Sequence, residues 1–160
     1  RAFCILANRG HYIKPYVVKA VVDNSGQIRQ TAPEPSSVGC IVDPEVAELI
    51  VTDALSAVVS EGTGKRASLD KWTVFGKTGT ASIAKKDGRG YSESAYMASF
   101  AGGAPAENPE IVVLVSIRRP DISLRKGYTG GTVAAPVVGR IIEKTLTYLH
   151  GHDPVSDDFR

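Results

Sequence analysis

Four consecutive residues, Lys77-Thr78-Gly79-Thr80, combine a cation, two hydroxyls and a residue without a side chain. The residues before them, 72–75, are aromatic and β-branched, which predicts a strand over 72–80. Alternate side chains of a strand share a face, so Lys77 and Gly79 would lie on one face, with Thr78 and Thr80 on the other. An anion could rest against the lysine and the hydroxyls while a reacting group approaches the backbone at Gly79. The pattern therefore predicts one wall of an acyl-transfer site, with no activated nucleophile in the wall itself.

Phosphate and metal chemistry fit other stretches of the chain poorly. A phosphate-binding loop needs a glycine five residues before its Gly-Lys-Ser/Thr, but Lys71 occupies that position ahead of Gly76-Lys77-Thr78. His150, His152 and Asp153 lie in a polar tail with no second pair of ligands, which favours a solvated tail over a metal site. The sequence thus predicts neither a metal nor an organic cofactor.

Composition indicates an ordinary globular domain. The 160 residues are 42% hydrophobic and 22% charged, and the length favours one domain. The net charge is only +2, which gives no support to nucleic-acid binding. Arg118-Arg119 and Arg125-Lys126 are interpreted as a solvated rim, with attraction of an anionic substrate as the alternative. Cys4 falls on an apolar stripe and is interpreted as a buried structural cysteine, whereas the redox state of Cys4 and Cys40 stays open. No stretch approaches the roughly 20 apolar residues that cross a bilayer.

The elements that would position the tetrad follow the order helix, hairpin, helix, three strands, helix, an α+β arrangement of an antiparallel sheet packed by helices. The chain opens inside a helix without a cap, as a fragment would, and this helix would end at Asn8-Arg9-Gly10. Strands 16–22 and 27–31 would flank a turn at Asp23-Asn24-Ser25-Gly26. Asp43 as N-cap and Pro44 as the first helical residue predict the next helix. Its apolar stripe would comprise Ala47, Val51, Ala54, Leu55 and Val58.

Downstream of the tetrad, residues 82–94 are polar and predict a loop. Strands are expected at 96–102 and 111–117, the second so uniformly apolar that a central place in the sheet is predicted. A final helix over 132–149 would bury one stripe, and a polar tail, 150–160, would follow it. The stripe would comprise Val138, Ile142, Leu146 and Leu149.

The tetrad and its surroundings resemble a known family. Lys77-Thr78-Gly79 matches the Lys-Thr-Gly element of penicillin-binding proteins and class A β-lactamases. Further blocks resemble, in the same order, the class B penicillin-binding proteins, and most of all their division-type members. The blocks are Glu61-Gly62-Thr63-Gly64-Lys65-Arg66-Ala67, Gly76-Lys77-Thr78-Gly79-Thr80-Ala81, Tyr91-Ser92-Glu93, Tyr96-Met97-Ala98-Ser99-Phe100-Ala101-Gly102, Ala104-Pro105, Asn108-Pro109 and Gly130-Gly131-Thr132-Val133-Ala134-Ala135-Pro136. The resemblance assigns residues 1–149 to the C-terminal part of a transpeptidase domain and leaves 150–160 as the tail.

The resemblance implies a role for each residue of the tetrad. In the family this strand is the edge of a five-stranded antiparallel sheet and forms one wall of the active site. Lys77 would set the electrostatics of the site and attract a carboxylate, to which the hydroxyls of Thr78 and Thr80 would donate. The backbone N–H of Thr80 would supply half of an oxyanion hole. Gly79 would keep the strand face open to the acylated serine.

Two family elements are expected to lie upstream of Arg1, in another part of the same protein. These are the nucleophile motif Ser-x-x-Lys and the second element Ser-x-Asn. Ser68-Leu69-Asp70-Lys71 fits the first string but stands just before the tetrad, between a helix and a strand, and is interpreted as a polar turn. The chain alone is therefore expected not to form an acyl-enzyme.

The function implied by the resemblance is that of a peptidoglycan D,D-transpeptidase, which cross-links stem peptides through a serine acyl-enzyme and binds β-lactams. The implied location is the extracytoplasmic face of the bacterial membrane, with an anchor outside this chain. A cell-wall glycosyltransferase and divisome proteins are the implied partners. Alternatives are a non-catalytic penicillin-binding or sensor module, an interaction domain that keeps only the fold, and a β-lactamase-like hydrolase.

Overall fold

The computed structural model of the chain describes residues 1–12, 14–31, 39–85, 88–124 and 127–151. Within these ranges four α-helices and five strands follow one another in the predicted order. They are α1 at Ala2–Ala7, β1 at Ala20–Val22, β2 at Ile28–Thr31, α2 at Pro44–Leu49, α3 at Ser56–Ser60, β3 at Phe75–Ala84, β4 at Tyr91–Ala104, β5 at Ile111–Arg118 and α4 at Ala135–Gly151. None of the described helices is long and apolar enough to cross a membrane.

The first helix packs against the sheet with partly buried side chains. Phe3, Leu6 and Ala7 contact the buried residues on one sheet face. Cys4 is only partly buried, so the prediction of a buried cysteine is wrong, and Cys40 is exposed; both are free thiols. A helix of six residues covers little of its own apolar surface, which explains why no residue of α1 is fully buried.

The turn between β1 and β2 is organised by Asp23. Its Oδ1 atom accepts hydrogen bonds from the backbone N–H groups of Ser25 (2.9 Å) and Gln27 (3.0 Å) and from the Ser25 hydroxyl (2.6 Å). The Ser25 hydroxyl and the Gln27 N–H hold the pKa of Asp23 below its usual range, because these bonds favour the ionised carboxylate. The predicted hairpin is confirmed, although its first strand begins at Ala20 and is shorter than expected.

Asp43 caps the next helix as predicted. Its Oδ1 atom accepts hydrogen bonds from the backbone N–H groups of Glu45 (3.0 Å) and Val46 (3.3 Å), and Pro44 is the first helical residue. This cap satisfies two of the backbone donors that the helix itself leaves unpaired.

A π-helical turn, Ile50–Leu55, joins α2 to α3 without a break and alters the predicted apolar stripe. A π-turn holds more residues than an α-turn, so the side chains after it are rotated relative to a regular helix. Ala54 is exposed, against expectation. The Ser56 hydroxyl instead lies inside and donates to the Val51 carbonyl at 2.9 Å. The buried residues of the whole helical segment are Ala47, Val51, Ser56 and Val59.

Strands β3, β4 and β5 form an antiparallel sheet in that order, so β4 is the middle strand. Among the described strands β5 pairs with β4 alone, and the central position predicted for it is not seen here. Its apolar run arises because both faces contact the core, with Val113 and Val115 on one side and Val112 on the other. Leu114 remains 68% exposed.

The hairpin of β3 and β4 is longer than predicted at its tip. β3 starts at Phe75, not Trp72, and continues to Ala84, while β4 begins at Tyr91. Residues 82–84 and 91–94 of the predicted loop 82–94 are therefore strand, because backbone hydrogen bonds continue the ladder beyond the core even where the side chains are polar. Lys86 and Asp87, at the middle of that loop, lie outside the described residues.

The sheet has an apolar cluster on each face. The larger cluster, between the sheet and α4, is built on Phe100 and Val74. The smaller one, on the opposite face, contains Phe75, Val51 and Ala106. Helices thus pack on both faces of the sheet that contains β3, the strand of the tetrad.

Helix α4 buries Val138, Ile142 and Leu146 completely, as predicted, whereas Leu149 is 50% exposed. The helix continues to Gly151, so the first two residues of the expected tail are helical, and 152–160 lie outside the described residues. The Nε2 atom of His150 lies 3.2 Å from Oε1 of Glu110, which fastens the last turn to the connection between β4 and β5.

Candidate active site

Strand β3 carries Lys77-Thr78-Gly79-Thr80 on an edge of the described sheet. In register with β4, Thr78 lies opposite Phe100 and Gly79 lies opposite Ser99. Phe100 belongs to the cluster under α4, so Thr78 and Thr80 share the α4 face while Lys77 and Gly79 lie on the other. The predicted division of the tetrad between two faces is confirmed.

The hydroxyl of Thr78 is paired with that of Thr63, at 2.8 Å. Thr63 lies in the turn after α3, and this turn is fixed by backbone bonds from Gly62 to Ala57 (2.9 Å) and from Gly64 to Val58 (2.8 Å). Either oxygen of the pair can donate to the other. In both cases one O–H of the pair remains available for a third group.

The hydroxyl of Thr80 accepts a hydrogen bond from the backbone N–H of Gly130, at 3.2 Å. Gly130 begins a π-helical turn, Gly130–Ala134, that leads into α4. The start of this turn is fixed by Thr129, whose N–H donates to Thr132 Oγ1 at 3.0 Å. Because the Thr80 oxygen acts as acceptor here, its own O–H is left to donate to a ligand.

Two glycines allow these segments to meet. A Cβ on Gly130 would overlap the carbonyl oxygen of Ser99, and a Cβ on Gly131 would overlap the carbonyl oxygen of Thr63. Only a residue without a side chain permits such close approach of two backbones. The β3–β4 ladder, the turn at Thr63 and the start of α4 are therefore in direct contact around the tetrad.

On the other face, Lys77 is exposed and its Nζ donates to the carbonyl of Thr78 at 3.3 Å. No carboxylate of the described residues lies within ion-pair distance of Lys77. Ser99 Oγ lies 2.6 Å from the position that a Cβ on Gly79 would occupy. The lysine charge is thus available to an anion, and Gly79 leaves room for the serine hydroxyl of β4.

Three strings in the chain fit Ser-x-x-Lys, and neither of the two that the structure describes in full has the geometry of a nucleophile with its base. After Ser68, the Nζ of Lys71 lies over the ring of Trp72, 5.1 Å from its centroid, and has no hydrogen bond to that serine among the described contacts. Ser82 lies in β3 and Lys85 follows the end of that strand, and the two side chains share no hydrogen bond among the described contacts. In the third string, which begins at Ser123, the lysine lies outside the described residues.

Sequence reasoning singled out all four residues of the tetrad but missed the side chains and backbone groups that hold them. Thr63 and Gly130 each stand within a block that resembles the family, yet only the tertiary structure shows that they bond to Thr78 and Thr80. Ser99 was missed because its place opposite Gly79 follows from the strand register, and sequence alone does not provide that register.

The other predicted groups do not join the tetrad. Arg118 and Arg119 are exposed at the end of β5, and Arg125-Lys126, like His152 and Asp153, lies outside the described residues. Within the described ranges no three His, Cys, Asp or Glu side chains converge as a metal ion would need. The chemistry of this edge is that of hydroxyl donors, backbone amides and one lysine, which suits a carboxylate.

The chain is similar to known proteins over most of its length. A family model described as the penicillin binding protein transpeptidase domain matches residues 1–143. The chain is similar to the stage V sporulation protein D of Bacillus subtilis, with 37% identity over 89% of this chain and 21% of that protein. It is also similar to the probable peptidoglycan D,D-transpeptidase PbpC of Pseudomonas aeruginosa, with 34% identity over 93% of this chain and 23% of that protein. The chain therefore spans less than a quarter of the length of these two relatives.

Among solved structures, the chain is similar to penicillin binding protein 3 of Mycobacterium tuberculosis complexed with aztreonam. The TM-score is 0.80 and the identity 26%, over 92% of this chain and 34% of that chain. The likeness extends over nearly all of the elements described above.

Proposed function

Because the chain belongs to the penicillin-binding protein transpeptidase domain family, we propose that it forms part of a peptidoglycan D,D-transpeptidase. In the proposed reaction, a serine hydroxyl attacks the carbonyl of the penultimate D-Ala of a stem peptide and the terminal D-Ala leaves. The acyl group then passes from the serine to an amine of a second peptide. This chain would supply the Lys-Thr-Gly wall, while the serine of Ser-x-x-Lys and the Ser-x-Asn element would come from another part of the same protein.

One observation carries the proposal: three donors along β3 are available to a carboxylate. Thr80 Oγ1 accepts from Gly130, so its O–H is left to donate, and the hydroxyl pair at Thr78 also keeps one O–H. Lys77 lies on the other face of β3, but its Nζ reaches the Thr78 carbonyl at 3.3 Å, and it has no acidic partner among the described residues. Both a stem peptide and a penicillin end in a carboxylate, to which these groups would donate charge-assisted hydrogen bonds.

The backbone N–H of Thr80 is proposed as one donor of the oxyanion hole. In an antiparallel edge strand, alternate residues direct both backbone groups away from the neighbouring strand. Lys77 Nζ reaches the carbonyl of Thr78, which supports an outward direction for that residue and for Thr80, two positions later. Such a donor contributes about 3 kcal/mol to the stability of the tetrahedral transition state.

The edge of β3 is also the proposed binding surface for the peptide. A stem peptide would lie alongside Lys77-Thr78-Gly79-Thr80 as an added strand, with affinity from main-chain bonds and orientation from the threonines. β-Lactams would occupy the same edge, and the solved complex of a similar protein with aztreonam supports β-lactam binding in general. The proposed location is the extracytoplasmic face of the bacterial membrane, with a cell-wall glycosyltransferase and divisome proteins as proposed partners.

Substitution of Lys77 tests the function. In the complete transpeptidase domain, Lys77→Ala removes the one cation of the wall. We expect the second-order rate constant of acylation by a labelled penicillin to fall about 100-fold. This is the upper end of the range of free energies lost with a hydrogen bond to a charged group. The measurement is the rate of covalent labelling, followed on gels over a range of penicillin concentrations.

Lys144→Ala is the matched control, since Lys144 is exposed on α4 and far from the tetrad in sequence. It should acylate at the wild-type rate. A Lys77→Ala domain that acylates as fast as this control would remove Lys77 from the proposed site.

A further inference from the structure

We propose that Thr63 is a positioning residue for the carboxylate of the ligand. Its hydroxyl would donate to the hydroxyl of Thr78 and thereby direct the Thr78 O–H toward the open edge of β3. The inference rests on the proposed function, because it assigns to Thr63 a part in the same carboxylate site. Thr63 does not belong to the tetrad. A short 3-10 helix, Lys65–Ala67, lies between Thr63 and strand β3.

The geometry of the pair supports this role. The two hydroxyl oxygens are 2.8 Å apart, a normal length for an O–H···O hydrogen bond. Two arrangements are open to the pair: Thr63 donates to Thr78, or Thr78 donates to Thr63. Only the first leaves the proton of Thr78, the residue on the strand, for a ligand. An arriving carboxylate favours the first arrangement, because each bond in a chain of hydrogen bonds polarises the next.

The backbone holds Thr63 where this pairing is possible. The N–H groups of Gly62 and Gly64, on either side of it, bond to carbonyls of the preceding helix at 2.9 Å and 2.8 Å. Gly131 packs against the carbonyl oxygen of Thr63, so the turn is also supported from the start of α4. Thr63 itself is exposed, and the hydroxyl pair is therefore accessible from solvent. A rigid turn that presents an exposed hydroxyl to a strand hydroxyl is suited to orienting a proton.

A positioning role has a consequence that a structural role lacks. A carboxylate is bound both in the ground state and in the transition state, so loss of Thr63 should weaken binding of the ligand with little change in the maximal acylation rate. Ligands without the negative charge should be affected less, because the charge is what makes the oriented donor valuable. A substitution that merely loosened the turn would slow both kinds of ligand to the same degree.

The experiment uses Thr63→Val, which removes the hydroxyl and keeps the shape. In the complete transpeptidase domain, acylation is measured with a labelled penicillin and with the methyl ester of the same penicillin. The quantity of interest is the ratio of the two second-order rate constants. We expect Thr63→Val to lower this ratio about tenfold, as the loss of a well-placed donor to a charged group would. The apparent dissociation constant for the carboxylate form should rise while the limiting rate stays within about twofold.

Thr63→Ser and Thr145→Val are the controls. Serine retains the hydroxyl, so Thr63→Ser should restore the wild-type ratio. Thr145 donates to the Ile141 carbonyl at 2.8 Å within α4, and its replacement by valine removes a hydroxyl remote from the tetrad and should leave the ratio unchanged.

An unchanged ratio in Thr63→Val would overturn the inference, as would failure of Thr63→Ser to restore it. If the wild-type domain still acylates, either result would leave the proposed function intact. A wild-type domain that takes up no label would instead overturn the proposed function, and the role of Thr63 with it.

Discussion

The hydroxyls of Thr78 and Thr80 are held by groups that lie far from them in sequence, Thr63 on one side and Gly130 on the other. A threonine on an exposed strand would otherwise rotate freely between partners. Here each oxygen already has one hydrogen-bond partner, so fewer orientations remain for the proton that meets a ligand. The orientation of both hydroxyls therefore depends on these two neighbours as well as on the strand.

Gly130→Ala tests this dependence. The added Cβ would meet the carbonyl oxygen of Ser99, so the turn must retreat and the bond from the Gly130 N–H to Thr80 must lengthen or break. We expect the complete domain to lose about 1–3 kcal/mol of stability, the usual cost of inserting an atom into a packed contact. Penicillin acylation should slow as well. Thermal unfolding and the acylation rate are the measurements.

Gly151→Ala provides the comparison, because a Cβ at that position would meet nothing within 4 Å. This variant should acylate like the wild type and be no less stable, because alanine is a better helix former than glycine. Equal stability of the two variants would show that the contact at Gly130 has room to adjust.

At this scale the sequence predicted the tetrad and not its supports. Lys77-Thr78-Gly79-Thr80 is recognisable because its residue types are adjacent in the chain, so no folding is needed to bring them together. The bonds from Thr63 and Gly130 join residues 15 and 50 positions apart. Nothing in the local pattern specifies such pairs, since they arise only when a turn and the start of α4 fold over the strand.

Among the elements, the helical segment from Pro44 to Ser60 differs most from its sequence pattern. The capping residues Asp43 and Pro44 predicted its start correctly, because caps act within a single turn. The buried stripe was predicted on the assumption of a uniform period, and the π-helical turn at Ile50–Leu55 changes that period in the middle. Ala54 consequently points to solvent, and Ser56 lies inside with its hydroxyl bonded to the Val51 carbonyl.

A pair of lysine substitutions distinguishes a uniform α-helix from a helix with the π-helical turn. Ala54→Lys should change the free energy of unfolding by no more than about 0.5 kcal/mol, because the residue is exposed and lysine is a good helix former. Ala47→Lys, at a fully buried position of the same helix, should destabilise the domain by more than about 3 kcal/mol, since a charge would be buried without a partner. Chemical denaturation of the two variants decides the matter. A strongly destabilised Ala54→Lys domain would favour the uniform helix over the π-turn.

The strands show why sequence patterns predict the existence of an element better than its first and last residues. The apolar run of β5 identified a strand, but its many core contacts come from two faces and not from two strand neighbours. The polar tip of the β3–β4 hairpin suggested a loop, although ladder pairing extends to Ala84 and Tyr91. Side-chain polarity reports burial, whereas pairing depends on the backbone.

At the scale of the whole molecule, the tetrad is proposed to form one wall of a cleft. Ser68, Ser82 and Ser123 each begin a Ser-x-x-Lys string, and none of them has a described hydrogen bond to a lysine. We therefore expect residues 1–160, prepared as an isolated polypeptide, to remain unlabelled after incubation with a labelled penicillin. The check is mass spectrometry of the intact polypeptide. Stoichiometric covalent labelling, with the adduct on one of these serines, would mean that the nucleophile lies within this chain.

The overall α+β arrangement was accessible from the sequence because helix caps, turn residues and apolar periodicity all agree on the order of elements. The packing of α4 was also predictable in large part, since Val138, Ile142 and Leu146 recur at helical spacing and are fully buried. The exposed Leu149 marks the limit of that reasoning. The apolar stripe continues past the point at which the sheet ends, and the periodicity cannot tell where its partner stops.

The close contact of three chain segments around two hydroxyls has a genetic consequence. A substitution at position 63 and one at position 130 would both alter the same strand, although they are far apart in the gene. Effects of changes at positions that bond to neighbouring residues of one strand do not add in general, and the difference can equal either single effect in size. A change at one of these positions would therefore set which changes the other can tolerate, so the two positions should vary together.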